Sequence, residues 1–231
     1  QALPKVATFE QTHLQQPEPE SLHQVEQLEV NNSCFWRNYL LGPATPQNRA
    51  WAMVIDAFLQ QPFYTEMRTN QQLGYIVWSG VSSFTLEQLF CYFVIQSGTH
   101  SADVVEDRAE AFIGTLAEKF RALPEEEFET LRAAAIKKLE EKEKTISEKA
   151  SKFNQASFEY EADFERDQKA IKALKELART DVLATLKNTL DKDTRRMRTV
   201  LGFAKEHKAE REVTPSFEDL DAWKKTRVYQ R

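Results

Sequence analysis

Residues 63–79 read Phe63-Tyr64-Thr65-Glu66-Met67-Arg68-Thr69-Asn70-Gln71-Gln72-Leu73-Gly74-Tyr75-Ile76-Val77-Trp78-Ser79 and join a predicted helix to a predicted strand. Upstream, between Pro46 and Pro62, apolar residues recur at the spacing of one helical stripe, and Phe63–Asn70 is expected to add a further turn or two. From Leu73 to Ser79, β-branched and aromatic residues predict a strand, which Gly80 is expected to close. Polar side chains at such a junction can project from a rigid scaffold into a cleft.

Apolar residues on both sides of this junction predict further strands. Between Val25 and Leu41 they fit two strands, with Asn31-Asn32-Ser33 as the turn and Gly42-Pro43 at the end of the second. The segment Gln88–Gln96 is apolar on both faces, which is typical of a strand that is covered on both sides. Arg198–Phe203 is predicted as the last strand. A sheet of this kind needs helices to cover it.

The chain between these last two strands is predicted to be mostly helical. One helix is expected to use Ser101 as its cap and to carry an apolar stripe as far as Phe120. Leu123-Pro124 interrupts it, and Glu125-Glu126-Glu127 lies near the positive end of the next helix. Thr145-Ile146-Ser147-Glu148 has the spacing of a capping box, and Thr180-Asp181 is expected to cap a later helix.

The order of these elements indicates an α+β fold with an antiparallel sheet and helices packed mainly on one face. Residues 1–22 are rich in proline, glutamine and glutamate, which predicts a linker or the tail of a preceding domain. Residues 23–206 are predicted to form the α+β domain, and residues 207–231 a C-terminal tail. The first residues, Gln1-Ala2-Leu3-Pro4, show no feature of a secretory signal, and we interpret the chain as a segment of a longer protein.

The composition is that of a folded chain. With 231 residues, 41% of them hydrophobic, it can bury a substantial core, and six glycines with eight prolines exclude a collagen-like or low-complexity chain. No apolar stretch approaches the roughly 18 residues of a bilayer span. The net charge of −5, with neither sign gathered in a block, argues against nucleic-acid and membrane partners. Cys34 and Cys91 are expected to be buried thiols, although a disulfide between them stays open.

A search for catalytic motifs finds none that is complete. The four histidines, at 13, 23, 100 and 207, include no pair at the four-residue spacing of helical zinc motifs. His23-Gln24-Val25-Glu26-Gln27 has glutamine where the inverted motif has its second histidine, and on a strand these side chains would diverge. No nucleophile elbow and no phosphate loop occurs. We therefore predict no metal site and no independent catalysis in this chain.

Arg68 and Tyr75 are the candidate functional residues. A guanidinium and a phenol are both donors suited to a peptide carbonyl or a developing oxyanion. The alternative is a surface ion pair for Arg68 and a half-buried strand position for Tyr75. The mixed charges of residues 125–148 are read more simply, as the solvated face of a helix.

The run Arg68-Thr69-Asn70-Gln71-Gln72-Leu73-Gly74-Tyr75-Ile76-Val77 resembles the Arg-Thr-x-x-Gln-Leu-Gly-Tyr signature of the pitrilysin/insulysin family of inverted-zincin metallopeptidases. Phe93-Val94-Ile95-Gln96-Ser97 resembles the strand that follows the signature. A weaker likeness continues through Arg108–Phe112, Lys137–Leu139 and Phe164–Asp167, so that it covers about 25–205. The likeness is to the last domain of the family's catalytically inactive C-terminal half.

This resemblance implies a clamshell of two halves around a chamber for unfolded peptides, with zinc in the N-terminal half and none bound by this segment. It implies that Arg68 and Tyr75 reach towards substrate near the metal as transition-state support, and that Tyr64 lines the same region as a substrate-binding aromatic. Phenylalanine often replaces this tyrosine in relatives. The expected partners are the catalytic half of the same protein and peptide substrates.

Two other functions are weighed against that of a non-catalytic, substrate-binding domain. One is a structural or interaction module, as in related non-peptidase core subunits of respiratory complexes. The other, least favoured, is a self-sufficient hydrolase. An isolated fragment could dimerise through apolar surface that a sister domain normally covers. The compartment is left open, with the periplasm favoured for a bacterial protein.

Overall fold

The computed structural model describes residues 13–14, 16, 18–84, 88–160 and 162–230. Most of the segment predicted as a linker, residues 1–22, lies outside these ranges. The strands are β1 (His13–Leu14), β2 (Glu20–Gln27), β3 (Ser33–Pro43), β4 (Ile76–Phe84), β5 (Gln88–Ser97), β6 (Arg196–Phe203) and β7 (Tyr229–Gln230).

Eight α-helices and one π-helical turn complete the described elements. The segment Thr65–Asn70, called the π turn below, continues directly from the first helix. The helices are α1 (Pro46–Tyr64), α2 (Ala102–Ile113), α3 (Leu116–Ala122), α4 (Glu125–Glu140), α5 (Ile146–Phe158), α6 (Arg166–Glu176), α7 (Arg179–Leu190) and α8 (Leu220–Lys225). None of the helices in the described ranges is long and apolar enough to cross a membrane.

Five strands form the main sheet in the order β2-β6-β3-β5-β4. The pairs β3–β5, β4–β5 and β3–β6 are antiparallel, and β2–β6 is parallel. The predicted α+β fold with a mostly antiparallel sheet is thus confirmed. The second of the two strands expected between Val25 and Leu41 is present as β3. The first was misplaced, because β2 begins five residues before Val25 and ends at Gln27, and β6 lies between β2 and β3. A second, two-stranded sheet pairs β1 with β7.

The core lies between the helices and one face of the sheet. Thr45 caps α1 by accepting a hydrogen bond from the backbone N–H of Asn48, and Pro46 occupies the first helical position. α1 turns its apolar stripe to the sheet, where the rings of Phe63 and Phe93 lie 4.9 Å apart. Both rings are fully buried, and burying a side chain of this size stabilises the fold by roughly 1.5–3 kcal/mol.

The opposite face of the sheet, called the open face below, is not covered in this way. Trp36 of β3 and Trp78 of β4 lie on it, 41% and 61% exposed, in register with Val94 of β5. Along β5 most buried positions alternate with partly exposed ones. The prediction that this strand is covered on both sides was therefore wrong for the described chain, because the helices pack on one face only.

Three predicted boundaries were wrong. Gly80 does not close β4, which continues to Phe84. The space that a side chain would occupy at Gly80 is taken by the Asp56 carboxylate and the Tyr92 phenol. The helix predicted to run on to Phe120 is interrupted at Gly114 and forms α2 and α3. Thr180-Asp181 lies inside the first turn of α7, whose cap position is Ala178.

Other local signals were confirmed. Thr145 and Glu148 form the capping box of α5, each side chain bonding the backbone N–H of the other residue. Pro124 separates α3 from α4, as predicted.

Both ends of the described chain contact the domain. β2 begins at Glu20, so its first three residues lie inside the predicted linker. Residues 207–217, called the C-terminal strap below, contact both α2 and β2. Ser216 donates its N–H to the carbonyl of His23 at 2.8 Å, and its hydroxyl accepts the N–H of His23, also at 2.8 Å. Further on, Arg227 binds Glu20 through two nitrogens. The domain limits at 22/23 and 206/207 stay predictions.

Candidate functional site

The three predicted site residues lie around the π turn. Tyr64 ends α1, Arg68 lies inside the π turn, and Tyr75 comes directly before β4. The turn is wider than an α-helix: Gln71 donates its N–H to the carbonyl of Glu66 at 2.9 Å, five residues back. Single π-helical turns inside helices occur frequently at functional sites.

Two backbone features connect the π turn to the strand. Gln72 has a φ of 53°, in the left-handed region that side chains other than glycine rarely adopt. At Gly74 a Cβ atom would lie 2.2 Å from the carbonyl oxygen of Gln96, so no side chain fits between the chain and β5. Tyr75 then donates its N–H to that same carbonyl at 3.2 Å. The junction is thereby fixed against the sheet.

Arg68 holds the cluster together. Its Nη1 donates to the carbonyl of Gly74 at 3.2 Å and to that of Tyr75. Its Cζ lies 6.0 Å from the ring centre of Tyr64 and 5.5 Å from that of Tyr75, within cation–π range. The structure therefore brings Tyr64, Arg68 and Tyr75 together. We call them the aromatic–arginine cluster.

The cluster is open to solvent on this chain. Tyr75 is 77% exposed and Tyr64 is 45% exposed. Within the described residues neither tyrosine hydroxyl makes a hydrogen bond, and Arg68 makes no ion pair with a carboxylate. The alternative of a surface ion pair at Arg68 and a half-buried strand position at Tyr75 does not describe this geometry. Two phenols and a guanidinium face outward with hydrogen-bonding capacity unused.

Glu66 supports the π turn from the side. Its two carboxylate oxygens accept from the side-chain amides of Asn70, at 2.8 Å, and Gln71, at 2.9 Å. These two hydrogen bonds lower the pKa of Glu66 below its ordinary value. Sequence reasoning missed this contact, although a glutamate with an amide four residues on is a recognised helical pair.

Zinc does not fit the described residues. No group of three or more His, Cys, Asp or Glu side chains among them is arranged to hold a metal ion. His23 lies 2.9 Å from Glu106 of α2, whereas Glu26 accepts from Gln24 on the exposed part of β2. Both cysteines are free thiols, and of the two only Cys91 is buried as expected, whereas Cys34 is partly exposed. Burial raises the pKa of Cys91 to about 12, which makes it unreactive.

A second polar cluster lies behind β2, and sequence reasoning did not find it. Arg37 of β3 is 2% exposed and binds Glu106 and Glu110 of α2. Arg195 binds Glu110 at 2.7 Å, and Arg211 of the C-terminal strap binds Glu106 at 2.6 Å. The pair Glu106 and Glu110, four residues apart on one helix, was the available signal. These groups, with His23 and Asp107, are called the α2 ion-pair cluster.

The electrostatics of the α2 ion-pair cluster are those of a buried network. Burial alone would raise the pKa of Glu106, but the hydrogen bond from His23 and the charge of Arg37 lower it, to about 2. The cluster borders a cavity of about 310 Å³ that the strap partly covers. Each charged member has a partner of opposite sign. The arrangement therefore stabilises the packing of the strap and leaves no free ligand group.

A cavity larger than the one beside the α2 ion-pair cluster is lined by none of the residues of the aromatic–arginine cluster. It measures about 680 Å³ and lies between α5 and the start of α6, lined by residues that include Phe153, Tyr160 and Phe164. Acidic and basic side chains are balanced around it. None of the three predicted site residues takes part, so cavity volume alone does not identify the site.

Comparisons with known proteins place the chain among peptidase relatives. The family model described as PQQ synthase PqqF-like, C-terminal lobe domain 4, matches residues 54–154. Insulin-degrading enzyme of Drosophila melanogaster is 32% identical over 163 residues, which are 70% of this chain and 16% of that protein. Protease 3 of Escherichia coli is 30% identical over 105 residues, 46% of this chain and 11% of that protein. The chain thus spans a small part of these relatives.

Solved structures share the fold. The crystal structure of pitrilysin superposes with a TM-score of 0.78 at 19% identity, covering 95% of this chain and 24% of that one. A peptidase M16 inactive domain from Pseudomonas fluorescens superposes with a TM-score of 0.60 at 16% identity, covering 90% of this chain and 48% of that one. At these identities the likeness establishes the fold alone.

Proposed function

This chain belongs to the pitrilysin/insulysin family as a domain of the C-terminal lobe, and on that premise we propose that it is a non-catalytic domain that helps a zinc metalloendopeptidase enclose and bind unfolded peptides. The relatives are several times longer than this chain. The zinc-bearing half and the peptide substrate are therefore parts of the proposal.

The single observation that carries the proposal is the convergence of Tyr64, Arg68 and Tyr75 on one exposed surface. Arg68 is anchored by two backbone carbonyls and flanked by two rings. This geometry holds the phenol of Tyr75 beside a positive charge before any ligand arrives. Donors that are fixed in advance stabilise developing negative charge without the cost of reorganisation.

Each member of the cluster has a distinct role in this proposal. The hydroxyl of Tyr75 donates to a peptide carbonyl or to the oxyanion that forms from it. Arg68 supplies positive charge and fixes the backbone from which Tyr75 projects. Tyr64 offers an aromatic face for stacking against a substrate side chain. Closure of the other half over this exposed surface would exclude water and complete the site.

The test is Tyr75→Phe in the full-length protein, assayed for hydrolysis of an unstructured peptide with its zinc bound. We expect kcat to fall by about 100- to 1000-fold, by analogy with the loss of one oxyanion-hole donor, and to change more than KM. Tyr229→Phe, at an exposed tyrosine of β7, is the matched control and should leave kcat unchanged. An unchanged kcat for Tyr75→Phe would remove the catalytic-support role and favour a structural module.

A further inference from the structure

We propose that Glu66 is a positioning residue, which holds the π turn in the register that directs Arg68 towards Tyr75. The inference rests on the proposed function of the aromatic–arginine cluster. It adds a residue outside the family signature quoted above, which begins at Arg68. Glu66 itself would touch neither substrate nor metal.

Glu66 makes hydrogen bonds across the π turn, and we call these contacts the clamp and each of its two side-chain hydrogen bonds an arm. One carboxylate oxygen accepts from Asn70 at 2.8 Å and the other from Gln71 at 2.9 Å. The backbone closes the same turn through the Gln71 N–H and the Glu66 carbonyl, also 2.9 Å apart. Arg68 lies between the two ends of this clamp, so its backbone is enclosed by three hydrogen bonds to Glu66, two through the carboxylate and one through the main-chain carbonyl.

The clamp matters because the π form is the less favoured one. A π turn holds an extra residue compared with an α turn, and an α-helical arrangement would rotate the residues that follow about the helix axis. Rotation of this kind would carry Arg68 away from the carbonyls of Gly74 and Tyr75. Burial of Met67 and Leu73, joined by a 2.9 Å backbone hydrogen bond, supports the turn from the core side. Glu66 supports it from the solvent side.

A carboxylate is the acceptor that this position needs. It offers an oxygen to each of the two amides, whereas glutamine at the same place offers one oxygen and turns a competing donor to the other amide. The positive charge of Lys119 also lowers the pKa of Glu66. Glu66→Gln is therefore a nearly isosteric change that opens one arm of the clamp.

The experiment measures kcat, KM and melting temperature for Glu66→Gln, Tyr75→Phe and the double variant in the full-length protein. We expect Glu66→Gln to lower kcat by about three- to tenfold, the value of one hydrogen bond, with KM changed less than about twofold. The melting temperature should stay unchanged. In the Tyr75→Phe background the same substitution should have a smaller effect, because the donor it positions is already absent.

Two controls separate positioning from folding. Glu118→Gln removes an exposed carboxylate that pairs with Arg121 on α3, and it should alter none of the three quantities. Asn70→Ala and Gln71→Ala each open one arm of the clamp from the other side and should each reproduce part of the loss in kcat.

The outcomes distinguish this inference from the proposed function. If Tyr75→Phe lowers kcat and Glu66→Gln does not, Glu66 has no positioning role and the proposed function stands. The same holds if Glu66→Gln lowers kcat in step with the melting temperature, or equally in both backgrounds. If Tyr75→Phe has no effect, both the proposed function and the role of Glu66 are overturned.

Discussion

The two edges of the five-stranded sheet are built in opposite ways. At the β2 edge the chain covers itself, because Ser216 of the C-terminal strap exchanges two hydrogen bonds with His23. At the β4 edge the strand emerges from the π turn, and Tyr75 beside it remains 77% exposed. An uncovered strand end with exposed aromatic residues is a place where another chain can dock.

Their polar groups differ in the same way. In the α2 ion-pair cluster every charged side chain has a partner, as when Arg211 binds both Glu106 and Asp107. In the aromatic–arginine cluster Arg68 is held by carbonyls and rings, and the hydroxyl of Tyr75 has no partner among the described residues. Paired charges hold a fold together, whereas unused donors on a fixed backbone are suited to an external ligand. Richness in charge alone would have pointed to the β2 edge, where every charged side chain of the α2 ion-pair cluster is already paired.

Arg37→Ala should give the largest effect on stability, and it should act at the β2 edge. It leaves the nearly buried Glu106, 4% exposed, and the partly buried Glu110 without their main partner. Breaking a buried ion pair from one side typically costs about 3–5 kcal/mol. We expect a loss of this size in the free energy of unfolding, measured by urea denaturation at pH 7.

Arg121→Ala is the control for Arg37→Ala. Arg121 also pairs with a glutamate, but both side chains are more than half exposed, and such pairs contribute at most about 1 kcal/mol. If the two variants lose equal stability, the contrast between a paired interior cluster and an ordinary surface is lost.

How much the sequence could predict depended on the distance between the interacting residues. The stripe of α1 and the capping box at Thr145 are local, and both appear as predicted. The insertion of β6 between β2 and β3 is not local: it pairs His23 with Thr199 and Arg37 with the same residue. No pattern within one segment determines such a register, because the register depends on pairing between strands that are far apart in the sequence.

The site shows the same division. The signature predicted that Arg68 and Tyr75 would share one junction, and the structure adds that they touch. It did not predict the π turn or the left-handed Gln72, which together leave Met67 and Leu73 buried on either side of the partly exposed Arg68. At Arg37 the sequence did carry a signal, since Arg37 lies two residues from the buried Phe35 and therefore on the same face of β3, but its partners lie on a distant helix.

Lowering the pH should destabilise the β2 edge before the β4 edge. This is the second-largest of the expected effects on stability. The pKa of Glu106 falls from an ordinary 4.5 to about 2 in the folded chain, and the pKa of Glu110 is also lowered, against the effect of burial, by Arg37 and Arg195. A folded-state pKa below the unfolded value means that the stability is present above about pH 4.5 and is lost as the pH falls towards 2. We expect a loss on the order of 2–3 kcal/mol.

Hydrogen exchange of the strap, residues 207–217, checks this between pH 5 and pH 2.5. Exchange there should accelerate relative to that of the π turn, after correction for intrinsic rates. In Glu106→Gln, which cannot titrate, most of that relative change should be absent. Faster loss of protection at the π turn than at the strap would reverse the comparison.

Gly74→Ala should give the smallest of these effects on stability, and it should act at the β4 edge by sterics instead of charge. The new methyl group would lie 2.2 Å from the Gln96 carbonyl oxygen and 3.1 Å from a methyl of Ile95. Because the nearest atom belongs to the backbone of β5, the junction has to move, at a cost of about 1–3 kcal/mol. The displaced segment carries the two carbonyls that hold Arg68, so peptide hydrolysis by the full-length protein should fall by more than the stability loss explains.

Gly114→Ala is the matched control for Gly74→Ala. Its Cβ would meet nothing closer than 3.4 Å at a helical φ of −59°, and the change should be neutral or slightly stabilising. Normal kinetics in Gly74→Ala, with the same stability as Gly114→Ala, would mean that the β4 edge tolerates movement and that the aromatic–arginine cluster does not depend on a fixed junction.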